Sequence, residues 1–172
     1  MAEIRLRPLR EDEFPAILSE GKRSYADDIA AHGDMTRAEA EAKAQRDFAW
    51  LLPNGLSTKG HFILVIEDAA TGERVGELWF ASKRRGEREC AFLYSIEIDE
   101  PFRGRGLGRL AMLMLEDEVR ARGLTRIDLN VFGGNEVARS LYRSLGYAEW
   151  AVQMGKELSS GVASPREATR SP

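Results

Sequence analysis

Residues 101–112 read PFRGRGLGRLAM and hold three glycines and three arginines between Arg103 and Arg109. The stretch lies where an apolar, strand-like run gives way to an amphipathic helical pattern. A helix N-terminus leaves backbone N–H groups unpaired and carries a partial positive charge, so a glycine-lined approach to it favours a bound phosphate. Arginine side chains would add charge-assisted hydrogen bonds to the same anion. The stretch therefore predicts a strand, a tight turn and a helix, with an anion site at the turn.

The composition of the chain limits what this anion can belong to. With 172 residues, of which 43% are hydrophobic, the chain has the size and apolar content of one domain with one core. A formal net charge of −3 gives no global electrostatic reason to bind nucleic acid or an anionic membrane. Nowhere do about 18 uncharged apolar residues occur together, and the first residues lack the apolar run of a secretory signal. We therefore expect a soluble, cytoplasmic protein.

Metal and disulfide chemistry are not indicated by the sequence. Cys90 is the only cysteine, so it has no partner for an internal disulfide. The two histidines, His32 and His61, do not have the spacing of metal ligands. We expect a protein without a metal cofactor.

Two well-known phosphate-binding motifs do not match the turn. A Walker-type loop ends in Gly-Lys-Ser/Thr, whereas Gly108 is followed by Arg109 and lacks the hydroxyl that would bind magnesium. A dinucleotide fingerprint needs Gly-x-Gly-x-x-Gly, and from Gly104 and Gly106 the third glycine would fall at Arg109. The pattern that remains is Arg-x-x-Gly-x-Gly, which begins at Arg103.

Hydrophobic periodicity on both sides of the turn predicts a mixed α/β domain over residues 1–158. Three strand-like runs between 61 and 99 follow one another with polar turns, which indicates an antiparallel meander. The strand, helix and strand that come next imply a right-handed crossover with parallel pairing. Residues 159–172 are rich in Ser, Pro and charge and are expected to be disordered. The predicted strands are 4–9, 61–68, 75–82, 89–99, 126–132 and 147–158, and the predicted helices are 11–31, 36–52, 107–123 and 135–146.

The passage from 94 to 147 resembles the GCN5-related N-acetyltransferases, the GNAT family. It contains IEIDEPFRGRGLGRLAMLMLEDEVRARG and then LNVFGGNEVARSLYRSLGY, with Arg-x-x-Gly-x-Gly directly after the third strand of the meander. A helix with the pattern Asn-x-x-Ala-x-x-Leu-Tyr-x-x-x-Gly-Tyr follows from Asn135. The resemblance covers about residues 4–158. It implies a central, mostly antiparallel sheet of six to seven strands with one splayed parallel pair, flanked by about four helices.

The resemblance also implies that acetyl-CoA is the cofactor. Its pyrophosphate would lie on backbone amides of the glycine-rich turn, and the arginines would neutralise it. Main-chain groups of Ile96 and Ile98 would bind the pantetheine arm, and Asn135, which caps its own helix, would contact the pantetheine or the pyrophosphate. The turn residues implied in cofactor binding are Arg103, Gly104, Arg105, Gly106, Leu107, Gly108 and Arg109.

Catalysis in such an enzyme is acetyl transfer to a primary amine by direct attack in a ternary complex. A substrate ammonium with an ordinary pKa of about 10.4 must lose a proton first. Glu97, between two isoleucines of a strand, is the candidate base, with an ordered water as the alternative. In the family resemblance Tyr142 also binds the cofactor and donates a proton to the leaving CoA sulfur. Its position on an apolar helix stripe equally fits a core tyrosine.

The identity of the acceptor is not predicted by these residues. It should depend on the first two helices, the loop 53–60 and the strand after Gly146, because these elements flank the acyl end in this fold. A small molecule and a protein amino group both stay open, and so does a homodimer. The alternative function is a catalytically silent acyl-CoA-binding sensor, which would keep the turn without needing Tyr142 or Glu97.

Overall fold

The computed structural model describes residues 3–32, 35–156 and 158. In this part of the chain one five-stranded sheet is accompanied by four α-helices and two short 3₁₀ helices. The strands are β1 (Ile4–Pro8), β2 (His61–Asp68), β3 (Arg74–Arg85), β4 (Arg88–Ile98) and β5 (Ile127–Leu129). The α-helices are α1 (Phe14–His32), α2 (Arg37–Leu51), α3 (Leu107–Ala121) and α4 (Glu136–Ser144), and the 3₁₀ helices span Gly55–Ser57 and Glu100–Phe102.

The strands lie in the sheet in the order in which they follow along the chain. The first four pair antiparallel, and β5 lies parallel to β4. Because α3 connects β4 to β5, this pair is the crossover unit predicted from the order strand, helix, strand. The mixed α/β class and the single parallel pair are confirmed.

The hairpin between β3 and β4 is tighter than the predicted turn over residues 83–88. Arg85 pairs with Arg88, so that only Gly86 and Glu87 form the loop. Gly86 has φ 62, the left-handed backbone that two-residue hairpin loops require. The strands therefore continue through residues that were predicted to be turn because of their charge, and the charged side chains simply project from the ladder.

Each face of the sheet is covered by different helices. Leu64 and Ile66 of β2 pack with Leu115 of α3 in the main core. Val65, between them, packs with Ile17 of α1 on the other face, as the alternation of side chains along a strand requires. We call these faces the α3 face and the α1 face. The contacts between α1 and α2 are made by small and aliphatic side chains, namely Ala26, Ile29, Ala40 and Ala44.

Two helices have side-chain caps at their N-termini, and the one at Asn135 was predicted. The Thr36 hydroxyl accepts from the Glu39 amide, and the Glu39 carboxylate accepts from the Thr36 amide at 2.8 Å, which is a capping box. Asn135 accepts from the Ala138 amide at 3.1 Å and caps α4. The predicted disordered tail, 159–172, lies outside the described residues. Within the described ranges, no helix combines the length and apolar content needed to cross a bilayer.

The prediction of a last strand over 147–158 is wrong, because the described residues of this segment form no strand. Within the described residues the sheet has five strands rather than six to seven. Trp150, Val152 and Met154 alternate as in a strand, but they are 74%, 68% and 89% exposed. The pattern has no neighbour to pair with, because β5 is three residues long and not the seven predicted over 126–132. Without a partner strand, the alternation of apolar residues does not produce a ladder.

Candidate functional site

β4 and β5, the last two strands of the sheet, pair over only part of the length of β4. Their parallel pairing runs from Ala91 with Ile127 to Leu93 with Leu129, and β4 then continues alone to Ile98 on that side. The register between β3 and β4 also shifts here, so that Tyr94 has no partner across the antiparallel ladder. Such a bulge bends a strand and increases its twist. Beyond Leu93 the β5-side edge of β4 is therefore available for main-chain hydrogen bonds.

The glycine-rich turn lies beyond the end of β4 and begins α3. Gly104 and Gly106 have φ 75 and φ 78, a left-handed backbone that favours glycine. A Cβ atom placed at either would meet no atom within 4 Å, so the space above both is open. The amides of Arg109 and Leu110 donate to the Gly106 carbonyl at 3.1 and 3.2 Å. The amides before them belong to the first turn of α3 and have no carbonyl of the helix to bind.

The turn, the end of β4 and α4 meet at Gly108. A Cβ atom at Gly108 would lie 3.6 Å from Leu141 of α4 and 3.9 Å from the Ile98 side chain. The structure therefore brings the predicted turn residues next to the predicted pantetheine strand and next to α4, the helix that carries Tyr142 and is capped by Asn135.

The three arginines of the turn contact protein groups in this structure. Arg103 donates to the Ile98 carbonyl at 2.8 Å and to the Glu97 carboxylate at 3.4 Å. Arg105 donates to the Pro101 carbonyl, and Arg109 donates to the hydroxyl of Ser144 at the end of α4. Their side-chain hydrogen bonds are exposed, so a ligand anion at the turn can compete for the guanidinium groups.

Tyr142 is half-buried on α4 and packs against the core of the α3 face. Its ring lies 5.8 Å from that of Tyr147. Burial raises the pKa of the Tyr142 phenol above its ordinary value. The hydroxyl therefore stays protonated at neutral pH and is a proton donor.

A pocket on the α1 face reaches β4 from the opposite side of the sheet. Its wall is largely aromatic, and the Trp79 indole is held in place because its N–H donates to His61 Nδ1 at 3.0 Å. Burial lowers the pKa of His61, which keeps the acceptor nitrogen unprotonated. The aromatic lining residues are Phe14, Tyr25, Phe48 and Trp79, and the carboxylates are Asp28, Glu77 and Glu97.

Glu77 and Glu97 are direct cross-strand partners in β3 and β4, which brings their side chains onto the same face of the sheet. Glu77 is 5% exposed, and its pKa is raised to about 7. Burial is the main cause, and the negative charges of Glu20, Glu97 and Asp99 act in the same direction. Arg74 lies 3.3 Å from the Glu77 carboxylate and lowers this pKa. Burial and three like charges together favour a proton on Glu77.

Comparison with known proteins agrees with this arrangement. The model of the Acetyltransferase (GNAT) family matches residues 16–147. The chain belongs to the GNAT family. The uncharacterised N-acetyltransferase YdgE of Bacillus subtilis is 34% identical over 153 residues, which cover 89% of this chain and 97% of YdgE. The crystal structure of the acetyltransferase YycN, also from Bacillus subtilis, matches with a TM-score of 0.85 at 31% identity, over 91% of this chain and 99% of that one.

The elements that the sequence analysis assigned to acceptor choice in this GNAT protein differ in whether they line this pocket. The first two helices line it, through Phe14, Tyr25, Asp28 and Phe48. Neither the loop 53–60 nor the segment after Gly146 lines it. Sequence reasoning missed Glu77 and Trp79. The one available signal was a lone carboxylate in the apolar run VGELWF, at a position that alternation assigns to a covered face.

Proposed function

We propose that this GNAT protein transfers the acetyl group of acetyl-CoA to a primary amine by direct attack in a ternary complex. One observation carries the proposal. An open, glycine-lined helix N-terminus and an acidic, aromatic pocket approach the end of β4, which has no partner on its β5 side, from opposite faces of the sheet. Two ligands entering from the two sides would meet at this strand, which is the requirement for direct transfer between them.

The cofactor side supports acetyl-CoA as the donor. The free amides at the start of α3, the open space above Gly104 and Gly106 and the three nearby arginines fit a pyrophosphate. The edge of β4 at Ile96 and Ile98 fits an extended pantetheine arm, because main-chain groups bind an extended chain as a strand would. Arg103 would release the Ile98 carbonyl when the arm binds. Asn135 acts on this side by fixing the start of α4.

The proposed proton transfers follow from the charged and polar groups near the end of β4, where the two ligands would meet. A carboxylate of the pocket takes the ammonium proton, and Glu97, which the sequence predicted, lines that pocket. Backbone amides near Ile98 stabilise the oxyanion. Tyr142, whose pKa is raised by burial, donates a proton to the departing sulfur. No side chain is acylated in this scheme.

The first experiment measures acetyl-CoA binding by calorimetry. Gly106→Asp introduces a carboxylate where the pyrophosphate should lie, and we expect it to abolish binding. Gly123→Asp is the matched control, because Gly123 has φ 76, close to the φ 78 of Gly106, and also faces open space, but lies at the far end of α3. Equal loss of binding in both variants, with both folded by circular dichroism, would contradict the proposed cofactor site.

The second experiment separates an enzyme from a sensor. Wild-type protein is incubated with acetyl-CoA and a panel of primary amines, and release of free CoA is followed. We expect turnover that Tyr142→Phe lowers about 10²- to 10⁴-fold while acetyl-CoA binding is retained. Binding without turnover on any amine would support the silent acyl-CoA-binding module instead. The buried carboxylate of Glu77 favours the enzyme, since a protein that only binds acyl-CoA does not need a proton acceptor.

A further inference from the structure

The acidic cluster beneath the acceptor pocket shares a single cation. One terminal nitrogen of Arg74 lies 3.2 Å from Glu20, 3.3 Å from Glu77 and 3.2 Å from Asp99. One guanidinium therefore offsets three carboxylates, and Glu97 adds a fourth across the strand. Of these four carboxylates only Glu77 is buried. Keeping it charged with no more than a share of Arg74 is costly, unless a positive charge or a proton completes the site.

The two carboxylates at the floor of the pocket differ in their surroundings. The Glu97 side chain is 31% exposed and accepts from Arg103, a residue of the cofactor-binding turn. The Glu77 side chain is 7% exposed and has only its share of Arg74. Glu97 is thus held from the cofactor side, whereas Glu77 is enclosed between β3, β4 and α1 on the acceptor side.

We propose that Glu77, and not Glu97, is the general base that takes the proton of the acceptor ammonium, with Glu97 binding the same ammonium and orienting it. The proposal rests on the function proposed above. Glu77 meets the requirements of a base in this site: it lines the pocket, it is shielded from water, and no bidentate cation holds it ionised. A carboxyl group with a pKa of about 7 is also matched to proton transfer at neutral pH.

The proposed step moves one proton to Glu77 and one to the leaving sulfur. The ammonium gives one proton to the Glu77 carboxylate, and the free amine forms a bond to the acyl carbon while the carbon–sulfur bond breaks. Tyr142 gives its proton to the sulfur and regains one from the new amide nitrogen through water. The third hydrogen of the ammonium stays on the amide, and Glu77 returns its proton to solvent.

Other charged groups around Glu77 do not replace it as base. From α1, Glu20 binds Arg74, and Asp28 lies at the pocket wall with its pKa raised by burial. From β4, Asp99 also binds Arg74. The charged pair Lys43 and Asp47 of α2 contacts Tyr25 rather than the carboxylate floor.

The same cluster defines the acceptor as an amine with an apolar body and no anionic group beside the nitrogen. Aromatic rings would pack against the body, and the carboxylates would repel a phosphate or a carboxylate on the acceptor. The probes are therefore 2-phenylethylamine and phenylalanine, which differ by one carboxylate. We expect acetylation of the first to exceed that of the second at least tenfold.

The test of the base compares Glu77→Gln with Glu97→Gln, both nearly isosteric, using 2-phenylethylamine over a range of pH. Wild-type kcat/KM should rise with pH through an acidic limb near 7. Glu77→Gln should lower kcat by about 10²- to 10⁴-fold and remove that limb, while acetyl-CoA binding is retained. Glu97→Gln should mainly raise KM and keep the limb.

A less basic amine separates a base from a merely structural residue. Fluorine atoms beside the amino group of 2,2-difluoro-2-phenylethylamine lower the pKa of its ammonium, so it needs less help to lose a proton. The loss caused by Glu77→Gln should shrink with this substrate. An equal loss with both amines, or an acidic limb that disappears only in Glu97→Gln, would overturn the assignment while leaving the acetyltransferase intact. Absence of turnover with every amine in the wild type would overturn both.

Discussion

At the scale of single residues, burial separates groups that the sequence presents as equivalent. The chain has 28 acidic residues, and Glu77 is one of two buried charged residues among those the structure describes. The other, Glu67, accepts from Arg5 and Arg7, which lower its pKa. Two buried carboxylates therefore have opposite behaviour, and the difference is whether enough positive charge lies beside them.

This difference predicts how stability depends on pH. Glu77 has a raised pKa of about 7 in the folded protein against 4.5 as its ordinary value, so the native state holds a proton that the unfolded state releases. Stability should therefore fall as pH rises from about 4.5 to 7. Glu77→Gln should remove this loss and stabilise the protein at pH 8 by roughly 2–3 kcal/mol. Urea unfolding at pH 5 and pH 8 measures the change; a variant less stable than wild type at pH 8 would contradict it.

At the scale of elements, the two N-capped helices differ in the side chains that they position. α2 carries its capping box at Thr36 on the exposed outer side of the molecule, whereas α4 carries Tyr142 and is capped by Asn135. α4 has nine residues, so loss of its cap would disturb a large part of it. The position of the Tyr142 hydroxyl depends on that short helix.

Removing each cap should therefore give similar costs in stability and different costs in activity. Thr36→Ala and Asn135→Ala should each destabilise by about 1 kcal/mol. Only Asn135→Ala should lower kcat, because only α4 carries a reacting group. Thermal unfolding and CoA release measured side by side provide the comparison, and an equal loss of kcat in both variants would count against the role given to α4.

The close approach of β3 to β4 also predicts a sensitive glycine. A Cβ atom at Gly76 would lie 2.2 Å from the carbonyl oxygen of Glu97, and a backbone atom cannot move aside cheaply. Gly76→Ala should destabilise by about 1–3 kcal/mol and shift the strand that carries Glu97. Gly133→Ala is the control, since nothing lies within 4 Å of its Cβ position and its φ is not positive. Denaturant unfolding distinguishes the two, and equal stability would show that β3 and β4 can separate there.

At the scale of the whole molecule, the sheet separates the two halves of the site. The turn and α4, which are proposed to bind the cofactor, lie with the α3 face. The pocket proposed to take the acceptor lies on the α1 face, and β4 contributes to both. Variants of one half should therefore leave binding at the other half unchanged. The homodimer suggested by the family resemblance stays a prediction, which light scattering would check.

Ligand-induced stabilisation tests this separation. At 100 times its Kd, acetyl-CoA should stabilise the wild type by about 2.7 kcal/mol. Glu77→Gln should keep that increment, because it alters only the acceptor side. Gly106→Asp should lose it, whereas Gly123→Asp should keep it. Thermal shifts measured with and without acetyl-CoA give the four increments, and loss of the increment in Glu77→Gln would mean that the two faces are not independent.

The sequence alone determined the local structure of the half that is proposed to bind the cofactor. The turn from Arg103 to Arg109, the caps at Thr36 and Asn135, the meander and the crossover are each encoded in contiguous residues. Backbone conformation, capping and hydrophobic period act over a few residues, so a local pattern is enough to predict them. The family membership follows from the same contiguous motifs.

The half that is proposed to bind the acceptor was decided only by the tertiary structure. Glu77 stands opposite Glu97 because of the β3–β4 register, and the aromatic wall combines side chains from α1, α2 and β3. The failure of 147–158 to pair has the same origin, since alternation shows that a segment can be a strand but not that a partner edge exists. Burial, register and the sharing of Arg74 among three carboxylates depend on residues far apart in the chain. These long-range contacts set the charge of the pocket, and no local pattern contains them.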